Sequence, residues 1–193
     1  MNISLSANEI RDILDSEFAD LGIEITVNKT KDFPENAASM SGVFNPDDWD
    51  AHDNIELFLI VSEGSAPIVM NNTSWKFFQH QLHQTIEHEM IHREQLINRV
   101  GVELPIVSQE GLNYKQKRIA YLSNPDEVGA YANDVVLDLS ELYTKHGTSL
   151  RLWHYETITE KESPILYEYM SLFGKDSKVV NAIVSKAVSI VAS

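Results

Sequence analysis

Residues 6–21 place Ile10, Ile13, Leu14, Glu17 and Phe18 at helical spacing behind a capping Ser6 or Asn8, which predicts an opening helix. Over residues 23–27 the apolar positions alternate instead, the period of a strand. Two more strands are predicted over 39–44 and 54–61, the second strongly apolar through Ile55, Leu57, Phe58, Leu59, Ile60 and Val61. The turn-rich Asn45-Pro46-Asp47-Asp48-Trp49-Asp50 joins them, so a small antiparallel or mixed sheet is the economical reading.

After a polar stretch from 62 to 73, Asn71-Asn72-Thr73-Ser74 offers capping side chains to a long helix predicted over 75–99 and stopped by Gly101. A second helix is expected from Asn124, with Pro125 at its first position and Val128, Ala132, Val135, Leu139 and Leu142 as its buried stripe, ending near Gly147. Shorter helices follow over 164–173 and 177–191. The last is amphipathic through Val180, Ile183, Val184, Ala187, Val188 and Val191. It docks on the core or lies in a homodimer interface. The fold class is therefore α+β: one domain over 1–193, with a helix and sheet portion (1–73) and a mainly helical portion (74–193).

A chain of 193 residues can bury a core without cross-links. It has no cysteine, which excludes disulfides, thiolate zinc sites, iron–sulfur clusters and cysteine nucleophiles and leaves His, Asp and Glu as metal ligands. Net charge is -14, and residues 1–63 carry 14 acids against 3 bases. Direct nucleic-acid binding, which needs clustered Lys and Arg, is not expected. The start of the chain is too charged for a signal peptide, and no run is long enough to span a membrane, so a cytoplasmic protein is expected.

The long helix carries His88-Glu89-Met90-Ile91-His92. At 100° per residue the two histidines lie about 40° and about 6 Å apart on one face, so both imidazoles can reach one ion. Counted from Trp75, Phe78, Leu82, Ile86, Met90 and Ile97 cluster within about 60° of zero, whereas His88 and His92 fall near 220° and 260°. Lys76, His80, Glu87, Glu94 and Asn98 form a solvent sector near 120°. His80 and His83 read as surface residues.

A catalytic zinc commonly takes three protein ligands and leaves a position for water. Glu127, at the start of the second helix, is the choice for the third; the competing reading is a capping box in which it bonds back to the Asn124 N–H. The motif at 88–92, followed by Pro125-Asp126-Glu127-Val128-Gly129-Ala130-Tyr131-Ala132, resembles the gluzincin branch of zincin-type zinc metallopeptidases. It is most similar to small intracellular or phage-borne peptidases of the ImmA/IrrE kind. The likeness covers about residues 84–99 and 121–136, and Tyr131 stands where thermolysin-like members carry an acid.

The resemblance implies a zinc-dependent endopeptidase acting on a peptide or protein substrate. His88, His92 and Glu127 would hold Zn2+, and Glu89 would act as general base. A surface pair between Glu89 and Arg93 is the plainer alternative. Tyr131 and His154, with Tyr155 beside it, are candidate oxyanion donors. Asp134 and Asp138 would support a ligating histidine or form a solvated acidic face. The resemblance also implies that strand 55–61 is a sheet edge able to pair with an extended substrate. Two other functions compete: calcium binding by Asp47, Asp48, Asp50 and Asp53, and an acidic protein-interaction or inhibitor module whose metal site is incidental or structural.

Overall fold

In the computed structural model, which describes residues 3–35, 37–48, 54–64, 67–104 and 108–193, two units each enclose their own apolar core: Met1–Glu103 and Leu104–Ser193. The first runs β1 (Ile3–Leu5), α1 (Ala7–Phe18), β2 (Ile23–Thr30), β3 (Ala38–Phe44), β4 (Ile55–Ser62), β5 (Ile68–Met70) and α2 (Asn72–Asn98). The second is helical: α3 (Tyr114–Leu122), α4 (Pro125–Leu142), α5 (Lys145–Trp153), α6 (Pro164–Phe173) and α7 (Lys178–Ala192). The α+β class follows. Helix α2 shares a core with the sheet.

The apolar strand β4 takes the centre of a mixed sheet ordered β2-β4-β3, parallel to β2 and antiparallel to β3. This overturns its expected place at an edge. Both its sides are paired along the strand, so no backbone remains there for an extended substrate. Its alternation is clean: Ile55, Leu57, Leu59 and Val61 are buried and the residues between them are half-exposed. Short strands β1 and β5 pair antiparallel, Ile3 opposite Met70. At three residues each they are too short to show a period.

Helix α1 starts at a complete capping box: the Glu9 N–H donates to Ser6 Oγ, and the Ser6 N–H donates to the Glu9 carboxylate at 2.7 Å. It buries Ile10 and Leu14, while Ile13 faces solvent. Asn71 Oδ1 accepts from the Thr73 and Ser74 N–H groups, so α2 begins at Asn72. Phe78 and Leu82 are buried against the sheet, with Trp75, Ile86 and Met90 beside them. Near the end of α2 Leu96 is buried and Ile97, expected in the apolar stripe, is exposed.

In the second unit α4 ends at Leu142, which is exposed instead of completing the buried stripe. Tyr143 is extended, and the Thr144 hydroxyl accepts from the Gly147 N–H to start a new helix. Gly147 therefore lies in the first turn of α5, not at the expected helix stop. Helix α3, not anticipated from the pattern, opens on a capping box between Asn113 and Gln116. The stripe Val180, Ile183, Val184, Ala187 and Val191 of α7 is buried in this unit, against α4, α5 and α6. No described helix is long and apolar enough to cross a membrane.

Tyr169 is fully buried, and its hydroxyl donates to the Leu122 carbonyl at 3.0 Å. Tyr169→Phe removes the donor and leaves a buried carbonyl at the end of α3, which should lower unfolding free energy by about 1–2 kcal/mol. Urea denaturation checks this; an unchanged midpoint would mean that the carbonyl finds another donor.

Candidate metal centre

Helix α2 presents His88 and His92 one turn apart, His88 buried and His92 half-buried. Their Nε2 atoms lie 3.1 Å apart with the ring planes at 74°. Two nitrogens bound tetrahedrally to one zinc, each at about 2.0–2.1 Å, are separated by roughly 3.3 Å. The pair therefore has close to the spacing a single ion requires. Gln95 Oε1 lies 3.1 Å from His92 Nδ1. With the carboxamide oxygen accepting, Nδ1 carries the proton and the Nε2 lone pair points at the shared position, the tautomer a metal needs.

Glu89 is buried at 8% exposure, an interior carboxylate on α2. On the wheel that puts the histidines near 220° and 260°, Glu89 falls near 320°, between Phe78 and Leu82. It thus points at the sheet. Its side chain runs past Gly42 of β3, close enough that a Cβ on Gly42 would stand 2.8 Å from Glu89 Cγ and 3.1 Å from Glu89 Oε1. A carboxylate buried on the sheet-facing side of the helix is a candidate functional group.

In the second unit Glu127 is the third residue of α4 and is buried. The cap forms without it: Asn124 Oδ1 accepts from the Asp126 N–H at 2.9 Å, and the Asn124 N–H donates to the Tyr121 carbonyl at 3.0 Å. The capping-box alternative is thereby replaced. Desolvation, then the nearby Tyr131 and Glu127, hold the Tyr121 hydroxyl well above the usual phenol range. Arg118 grips Glu168 with two bonds of 2.8 and 2.6 Å and lies 5.6 Å from the centre of the Tyr121 ring. Arg118, Tyr121 and Glu168 were missed from the sequence, although the Asn113 and Gln116 capping pair ahead of them was a readable sign of α3.

Tyr131 packs edge-on against Tyr121 and Tyr169, and burial raises its hydroxyl. His154 is exposed at the C-cap of α5, and the Tyr155 hydroxyl donates to Asn181 or the Lys175 carbonyl. Asp134 and Asp138 are buried, which removes the solvated-face reading; Asp138 accepts from the Ser163 hydroxyl at 2.8 Å. His80 is half-buried and His83 exposed. Of the acidic loop, Asp47 is exposed, while Asp50 and Asp53 lie outside the described residues, as does the side chain of Asp48. No family model, curated protein or solved structure matches the chain.

Proposed function

We propose that the chain is a zinc-dependent endopeptidase of the zincin kind, with His88, His92 and Glu127 as the metal ligands and Glu89 as the general base. The observation that carries this reading is the facing pair of Nε2 atoms on α2, with Gln95 placed to fix the His92 tautomer. Glu127 enters as the third ligand because it is a buried carboxylate that its helix cap does not use.

Bound zinc would supply Lewis acidity and a water ionisable near neutral pH. Glu89 would take the proton of the attacking water and return it to the leaving amine. Gln95 would hold the His92 ring in place, and the Tyr121 hydroxyl would orient the Glu127 carboxylate. With β4 central, the strand proposed to receive an extended peptide moves to β3, an edge of the three-stranded sheet that runs beside Glu89. Tyr131 and His154 stay the candidate donors to the oxyanion.

Metal analysis of the wild type, His92→Ala and Glu127→Ala tests the reading. The expected result is about one zinc per wild-type chain, none held by His92→Ala and weaker retention by Glu127→Ala, since a catalytic site keeps about three protein ligands. No zinc in the wild type, even after reconstitution, would overturn it and favour an acidic interaction module.

A further inference from the structure

Gly42 stands where its strand should carry a core side chain. Ala38, Met40 and Phe44 share its face of β3 and pack into the core between sheet and helix. Glycine in a strand interior weakens the strand, and a common reason for it is the close approach of another group. Here that group is identifiable. A Cβ at residue 42 would meet Glu89 Cγ and Thr85 Cγ2 at 2.8 Å and Glu89 Oε1 at 3.1 Å, well inside the usual carbon contact of about 3.5–4.0 Å.

Thr85 cannot easily yield, because its hydroxyl donates to the Gln81 carbonyl at 2.8 Å and so pins the side chain that carries the methyl. Glu89 is the longer and more adaptable neighbour, with three side-chain torsions. An atom added at 42 would press on both, and with the Thr85 methyl removed Glu89 alone would have to turn aside, while His88 and His92 leave the helix about 100° and 60° around from it.

We propose that Gly42 is a positioning residue for Glu89: the missing side chain on β3 is the notch in which the Glu89 carboxylate is laid. The catalytic consequence rests on the metallopeptidase reading; the contact does not.

The test is a cycle of Gly42→Ala and Glu89→Ala in a Thr85→Ala background, so that Glu89 alone meets the new methyl. It is read by urea unfolding, by zinc affinity in competition with a chromogenic chelator, and by cleavage of labelled casein. Gly42→Ala should lower the unfolding midpoint when Glu89 is present and barely change it when Glu89 is alanine. Zinc affinity should hold, while kcat falls on the order of 100-fold, the effect of roughly an ångström of misplacement, with KM little changed. The same midpoint loss with and without Glu89, or an unaltered kcat, would overturn the proposal. Zinc affinity falling in step with kcat would also overturn it, because Gly42 would then set the helix and not the carboxylate. If no protein in the set cleaves casein, wild type included, the peptidase reading fails, and the unfolding cycle alone decides whether Gly42 positions Glu89.

Discussion

Glu89→Gln should keep the metal and lose the reaction. The amide has nearly the volume of the carboxylate, so it fills the same notch beside Gly42 and leaves the packing of α2 on β3 undisturbed. His88 and His92 project from another sector of the helix, and the Gln95 contact to His92 is untouched. What disappears is a proton acceptor at the point where the attacking water would lie. General acid–base catalysis by a placed side chain contributes about 10²–10⁴-fold, and the variant should lose peptide cleavage by that factor at unchanged zinc content. Zinc content and the urea unfolding midpoint, read beside the rate, separate catalysis from structure: a carboxylate needed only for the fold would cost stability when neutralised and leave no separate loss of rate. Cleavage by Glu89→Gln at the wild-type rate would take the general base away from this residue.

Local features were legible where one segment contains both the signal and its cause. Ser6, Asn71 and Asn124 announced their helices because a cap is a bond within four residues. The sector argument on α2 separated His88 and His92 from the apolar stripe, and the same arithmetic would have turned Glu89 inward had it been applied to that residue. The alternation in 55–61 identified a strand and its buried face but not its neighbours. Pairing is a long-range property: β4 lies between β2 and β3 because β3 returns antiparallel on one side and β2 takes the other.

What escaped the sequence depends on contacts between segments distant along the chain. The break between α4 and α5 is set by the Thr144 cap together with the Tyr143 hydroxyl, which donates to Glu162 at 2.7 Å. A continuing apolar pattern masks such a break. Whether Glu127 capped its own helix was undecidable from Asn124-Pro125-Asp126-Glu127, since either partner could satisfy the Asn124 N–H; the chain gives that donor to the Tyr121 carbonyl. Gly42 carried a readable sign, an isolated glycine within a strand, but its partner lies more than forty residues away on α2.

Glu162→Gln should be among the most destabilising single-atom exchanges in the second unit. This carboxylate accepts from Arg151 Nε and Nη2, both at 2.7 Å, from the Tyr143 hydroxyl at 2.7 Å, and from the Thr159 N–H and hydroxyl at 3.0 and 2.8 Å. It thereby ties the residue after α4 and the last turn of α5 to the loop before α6. The Arg151 bonds first, opposed by burial and aided by the Tyr143 and Thr159 donors, hold its pKa far below the usual carboxylate range. An amide places two N–H donors against donors already there, and the expected loss at neutral pH is about 3 kcal/mol. The sign of the pH dependence follows. The folded pKa is depressed, so the stabilisation is complete above the unfolded pKa of about 4.3 and drains away as pH falls below it towards the folded value. Wild type and Glu162→Gln should therefore differ most in urea unfolding at roughly pH 7, and the gap should narrow from roughly pH 4 to pH 3 without closing, because the folded carboxylate stays ionised there and the variant has no charge to lose. A gap of constant size across that range would show that Glu162 acts through shape and hydrogen bonding alone, and its charge would drop out of the account of this unit's stability.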